Sequence, residues 1–281
     1  MKRWAFVPIF GLALGFLIMW IELPFETVFY NGLMLLRGRQ TPNPEIVIVT
    51  FPRVEQPAPA ENRWLPLLQE FLIQLKPKHP KALVLDFILE DAERNALKPE
   101  ELPYPVVWPR QPSGRSAERP MLQLVASPEN IDEQLETTHL PGIPFGAFDS
   151  YLVSMLAPEK VAKIPQGEPR LINVAGPPGT FRKTPIDIAL SDPLALQRLS
   201  NAIVVIAAPP TKTHAHFGHA PFFPRRGSIG EVATELDANA IDSVLRERSI
   251  RMASPYTTLS ITVAVSVIST AVLFSTVPLL G

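Results

Sequence analysis

Two uncharged apolar runs bracket a body of shorter apolar segments. Trp4 to Ile21 (WAFVPIFGLALGFLIMWI) contains no charged residue, and neither does Thr257 to Leu280 (TTLSITVAVSVISTAVLFSTVPLL). Each is long enough to cross a hydrocarbon layer of roughly 30 Å as a helix rising 1.5 Å per residue. Lys2 and Arg3 precede the first run, Trp4 and Trp20 stand near its ends, and Glu22 closes it. That is the order expected of a membrane helix with interfacial aromatics and a cytoplasmic N-terminus. A cleaved signal peptide needs a shorter apolar stretch and a small-x-small site, which Trp20-Ile21-Glu22-Leu23-Pro24 does not offer. The second run is rich in Val, Thr and Ser, so a buried strand pair is its alternative. It has no turn signal before Pro278 and reads better as a spanning helix. Its Ser260, Ala264, Ser266, Ser269 and Ala271 permit close helix approach. Arg246, Arg248 and Arg251 precede it on the side taken as outside; the positive-inside tendency that this offends is weak across a long translocated domain.

Between the runs, apolar segments of strand length recur between Pro, Gly and Asn. Glu45–Phe51, Lys81–Phe87, Tyr104–Trp108, Arg170–Val174 and Asn201–Ala207 are near-continuously apolar, the pattern of strands covered on both faces. Helical periodicity intervenes. Asn62–Leu75 carries Leu65, Leu68, Phe71, Leu72 and Leu75 on one face, with Pro66 in its first turn. Ile229–Arg248 aligns Val232, Leu236, Ala240, Ile241, Val244 and Leu245, with acids at its start and arginines at its end to suit the helix dipole. Pro24–Leu36 reads as an amphipathic continuation of the first run. The middle, roughly Asp91–Glu168, is polar, Pro-rich and non-periodic, and predicts loops. The expected fold is α/β, a mostly parallel sheet with flanking helices, forming an extracytoplasmic domain between two transmembrane helices. The boundaries are 1–23 for the first helix, 24–255 for the domain and 256–281 for the second.

Composition narrows the functions. The 281 residues include no cysteine and carry a formal net charge of −1. That excludes disulfides, thiolate metal sites and thiol nucleophiles, and argues against nucleic acid as a partner. The 32 prolines are spread along the chain, which disfavours an all-helical bundle.

Three motifs bear on chemistry. Ala175–Thr184 (AGPPGTFRKT) imitates a phosphate-binding loop, but Phe181 stands where the second glycine belongs and Arg182 adds a residue, so backbone N–H groups cannot wrap a phosphate in that register. A Pro-Gly turn is the plainer reading. Thr213–His219 (THAHFGH) brings His214, His216 and His219 together, a candidate Zn²⁺ or Cu²⁺ site with a solvated loop as its alternative. Asp86 ends an apolar strand, where ligands gather in open α/β sheets, and Asp237, Asn239 and Asp242 share a helix. With Asn173, the residues Asp86, Asp237 and Asn239 form the candidate ligand-binding set. No partnered His or Ser at fixed spacing accompanies the acids, so the expectation is a protein that is not an enzyme.

The order of segments resembles the second type of the CHASE domains, extracellular sensors associated with cyclases and histidine kinases. Leu35–Val49 (LLRGRQTPNPEIVIV), Lys81–Leu89 (KALVLDFIL), Leu171–Phe181 (LINVAGPPGTF) and Glu235–Leu245 (ELDANAIDSVL) carry the likeness, with Pro144–Ala147 (PFGA) a shorter match. The likeness implies an α/β sensor outside a bacterial inner membrane. The chain departs from the family pattern at Asp237, usually His, and in having one apolar run after the domain where the family has three and an output domain. The expected function is non-catalytic sensing or recognition coupled to membrane helices. The alternative is an accessory subunit of a larger membrane complex. Expected partners are the lipid bilayer and a homo-oligomer or other membrane subunits.

Overall fold

The computed structural model describes residues 32–52, 64–110, 124–125, 143–144, 148–164, 170–209, 231–251 and 255–276, together with Ala13 and Lys212. The chain divides into two units, Tyr30–Ile250 and a second made of Met1–Phe29 with Arg251–Gly281.

The first unit is built on a five-stranded parallel sheet. Strand β1 (Ile46–Thr50) leads to helix α1 (Trp64–Leu75), β2 (Ala82–Leu85), α2 (Asp91–Leu97) and β3 (Val106–Val107). Helix α3 (Phe148–Leu156) follows, then β4 (Arg182–Pro185), α4 (Ile186–Ser191), β5 (Ile203–Ile206) and α5 (Glu231–Leu245). The strand order is β3-β2-β5-β1-β4, and every pairing is parallel. Ile48 lies opposite Val205 on one side and Lys183 on the other.

A period of two sorts the strand side chains onto two cores. Val47, Val49, Leu83, Leu85, Val204 and Ile206 pack with Leu68, Phe71, Leu72 and Leu75 of α1 and Ile186 and Ala189 of α4. Ile46, Ile48, Ala82, Val84, Ile203 and Val205 pack with Leu152 and Val153 of α3 and Ala238, Ile241 and Val244 of α5. The central strands β1, β2 and β5 are buried at every position, which is why they lack in/out alternation.

The α/β expectation holds, with corrections. Arg170–Val174 does not enter the main sheet; only Arg170–Leu171 is a strand, pairing with Leu124–Val125. The fifth strand is instead β4, a polar Arg-Lys-Thr-Pro edge with no fully buried residue, stabilised by its ladder to β1 more than by burial. The middle is not all loop: α2 starts with a capping box between Glu90 and Glu93, and α3 buries Leu152 and Val153 completely. Residues 32–37 are helical, but Leu33, Leu35 and Leu36 are exposed and Met34 alone of the apolar side chains is buried. The amphipathic reading of Pro24–Leu36 is therefore not realised in its described part.

The two transmembrane helices are not supported as such. Among the described residues no helix is long and apolar enough to cross a membrane, and the run Trp4–Ile21 lies outside them except for Ala13. In tension with that, helix α6 (Pro255–Thr276) is continuous over 22 residues without a charged side chain, a length of about 33 Å. Side chains at Pro255, Thr258 and 273–276 lie outside the described set.

Replacing Phe71, fully buried beneath the sheet, by Ala is expected to cost about 3–5 kcal/mol. Ile73→Ala, on the exposed side of the same helix, should stay within about 0.5 kcal/mol. Denaturant unfolding of the two variants tests this packing; equal losses would place α1 wrongly.

Candidate functional site

Helix α5 is where the candidate residues meet. Every residue from Thr234 to Val244 is buried, including Thr234, Glu235, Asp237, Asn239, Asp242 and Ser243. The one-faced apolar stripe expected from its sequence is thus too narrow a description. Such a helix is stable only if each polar group finds a partner inside the protein.

Two polar rows meet most of this demand, Glu235 Oε2 being a buried atom without a hydrogen bond. Glu235, Asn239 and Ser243 stand four residues apart, one above the other on one face. Glu235 Oε1 accepts the Gly179 N–H at 2.6 Å, Asn239 Oδ1 accepts the Ala175 N–H at 2.6 Å, and Ser243 Oγ accepts the Asn173 N–H at 2.9 Å. One helical step of four residues rises about 6 Å, close to the span of two extended residues, so Asn173 and Ala175 fall naturally opposite Ser243 and Asn239. The Pro-Pro-Gly turn takes up the rest, with Gly179 at φ +91°, a conformation that other residues resist. The row is self-braced: Asn239 Nδ2 donates to Glu235 O at 2.6 Å and Ser243 Oγ to Asn239 O at 2.6 Å. Lys183 of β4 reaches Glu235 Oε1 at 2.7 Å. The lysine of the phosphate-loop imitation is therefore committed to a buried carboxylate.

The second row faces the sheet. Period two places Asp86, just beyond β2, on the same side as Ala82 and Val84, against α5. Its N–H continues the ladder to Ile206 O at 2.9 Å. Thr234 Oγ1 donates to Asp86 Oδ2 at 2.5 Å, and Asp237 shares a hydrogen bond with the same carboxylate. Both aspartates are buried, at 0% and 2% exposure. Burial, and then the charge and hydrogen bonding of Asp86, push the Asp237 carboxyl well above its ordinary 3.8. A raised Asp237 carboxyl is the response expected where two carboxyl groups share a buried contact.

At the carboxyl edge of the sheet, Trp64 packs edge-on against Phe51 and Phe87, with ring centroids 6.3 and 5.6 Å away. Lys212 lies 5.9 Å from the centre of the Trp64 ring, and binds Glu90 and Glu93 at 2.7 Å each. Burial works against its ammonium, but the two carboxylates outweigh burial and raise its pKa.

Of the four residues expected to bind a ligand, the structure joins Asp86 to Asp237 and sets Asn173 and Asn239 apart from them as partners of the turn and helix. Asn173 also receives the Arg37 guanidinium and donates to Arg248 O. His214, His216 and His219 lie outside the described residues. Among those described, no three His, Asp or Glu side chains are grouped to hold a metal ion. Sequence reasoning missed Thr234 and Ser243, although the spacing Glu235-Asn239-Ser243 was a visible signal. Comparison with family profiles, characterised proteins and solved structures yields no match for this chain.

Two outcomes follow. Asn239→Ala leaves the buried Ala175 N–H unsatisfied and should cost about 1–3 kcal/mol in denaturant unfolding; an unchanged midpoint would mean the row is incidental. Between pH 3.8 and the raised value of Asp237 the native state binds more protons than the unfolded chain, so stability falls as pH rises through that window. Asp242, raised chiefly by burial, adds a slope of the same sign in any variant that retains it. Asp237→Asn should therefore melt above the parent at pH 8, with the difference shrinking toward pH 4. Parallel melting curves across pH would sink the raised Asp237 carboxyl.

Proposed function

We propose that this chain is a membrane-anchored, extracytoplasmic sensor or recognition domain without catalysis, of the second CHASE type. The observation that carries the reading is the succession of α5 and α6 in the chain. A helix bound on two rows to the domain is followed, after residues 246–254, by a 22-residue helix without charge. On α6 the side chains of Ile261, Val265, Ile268 and Val272 are all more than half exposed, a stripe unfavourable in water and at home in lipid. Thr270 Oγ1 donates to Ser266 O at 2.7 Å, the way hydroxyls are satisfied within a membrane helix.

A ligand or partner that favours one setting of α5 would bias the helix that follows it. Typical couplings of about 1–3 kcal/mol suffice for a roughly 5- to 150-fold response. The domain faces the periplasm of a bacterial inner membrane and the N-terminus stays in the cytoplasm. The second reading, an accessory subunit, draws on the same apolar stripe as a surface for another membrane helix.

A secreted-phosphatase reporter inserted near residue 115 should be active, and a cytosolic reporter at that place silent. The reverse would overturn the topology. Because the chain has no cysteine, Val265→Cys alone gives a clean crosslinking probe. A disulfide-linked homodimer in membranes supports the sensor reading, whereas stoichiometric foreign subunits after gentle detergent extraction, with no homodimer, support the accessory one.

A further inference from the structure

Helix α1 turns toward α2 a side that its core packing does not use up. Gln69 and Ile73 stand one turn apart on it, and Lys76 follows on the next turn, just past the end of the helix. Leu72 lies beside them, buried. Opposite, α2 ends at the buried Leu97, and the chain turns through Lys98 and Glu101 to Leu102. Gln69 Nε2 donates to Ala96 O at 3.0 Å, a bridge between the two helices. The groove between them has a volume of about 390 Å³, and its lining includes Leu72, Ile73, Lys76, Leu97 and Leu102.

Its apolar lining is not all needed by the fold. Ile73 is 72% exposed, so its side chain is offered to the groove and not to the core. The charges there are uneven as well. Lys98 and Glu101 pair with each other at 3.0 Å, and the neighbouring Glu100 is held by Arg94. Lys76 is exposed, and among the described residues it makes no hydrogen bond or ion pair.

We propose that this groove binds an aliphatic monocarboxylate, its hydrocarbon chain beside Ile73 and over Leu72, Leu97 and Leu102, and its carboxylate on Lys76 Nζ. Both parts of the ligand are required by the lining: a wholly polar molecule would leave the leucines wet, and a neutral hydrocarbon would leave the ammonium unused. From Gln69 to Lys76 the helix rises about 10 Å, so an extended chain of short or medium length reaches from the ammonium to the glutamine bridge. The volume stands at the small end of the range for small-molecule sites. The groove gives the sensor reading its ligand class, and rests on that reading only for the consequence of binding.

The test is thermal unfolding of the full chain in detergent at neutral pH and constant ionic strength, titrated with butanoate, hexanoate and octanoate, with acetate as the reference anion. A ligand of the native state raises Tm with concentration. Affinity should climb by up to about fourfold for each methylene the groove covers. Lys76→Gln should weaken all three by roughly 1.5- to 5-fold, as an exposed ion pair allows, and leave the binding of hexanol as it is. Ile73→Ser, at a side chain the core does not hold, should flatten the gain from butanoate to octanoate. Lys163→Gln, which removes a cation among residues packed on the opposite face of the sheet, should change nothing. No dependence on chain length, or the same response in the parent and both groove variants, overturns the groove. Hexanol binding the parent as tightly as hexanoate overturns the carboxylate. Binding with an unaltered Val265→Cys crosslink supports the groove and overturns only its use as the input of the sensor.

Discussion

The structure depends on the burial of α5 with its polar groups intact. An isolated amide or hydroxyl moved out of water without a partner costs about 1–3 kcal/mol by mutational measures, and this helix buries six polar or charged side chains between Thr234 and Ser243. They are tolerable because the segment 173–179 meets three of them, the end of β2 two and Asn43 the sixth, Asp242, with β4 adding a second partner for Glu235. Asn173, Ala175 and Gly179 supply N–H groups, Lys183 a cation, and Asp86 a carboxylate. The helix in turn tells the segment after residue 171 where to lie. A purely apolar helix could pack on the same sheet, but it would leave the Pro-Pro-Gly turn without acceptors and β4 without its buried anchor.

The raised Asp237 carboxyl is a second consequence of that burial. Two carboxylates in a low-dielectric contact cannot both be charged without a large penalty, and Asp237 lies against Asp86 in such a contact. The Glu235 row differs in having a lysine opposite its carboxylate. One helix thus carries a carboxylate–lysine pair toward the turn and a pair of carboxyl groups toward the sheet. Both settings lie along a single rod that precedes α6 in the chain, and this gives the sensor proposal its physical content.

Much of the fold was legible because central parallel strands announce themselves. Ile-Val-Ile-Val, Ala-Leu-Val-Leu and Ile-Val-Val-Ile are buried on both faces, and no other structure accounts for them so simply. The amphipathic α1 was equally plain. What escaped reading was stabilised by neighbours: β4 is polar and exists as the partner of β1, α3 is recognisable only once Leu152 and Val153 have a sheet to cover, and Arg170–Val174 has strand composition without a place in the main sheet. Asp86 and Asp237 were singled out from a strand end and a helix, 151 positions apart in number, with nothing local to pair them. Asn173 and Asn239 were singled out as ligand-binding candidates and instead serve the backbone.

By itself the sequence determined the alternation of strands and helices, the charge-free stretches at both ends and the short list of polar residues worth attention, because periodicity and composition are local properties. Tertiary structure alone decided what those residues touch: that Asp237 meets Asp86 and that Asn239 meets Ala175. The reason is that strand order, with β5 inserted between β1 and β2, brings distant segments together, and the cost of leaving a buried polar group unpartnered then selects among the contacts this permits.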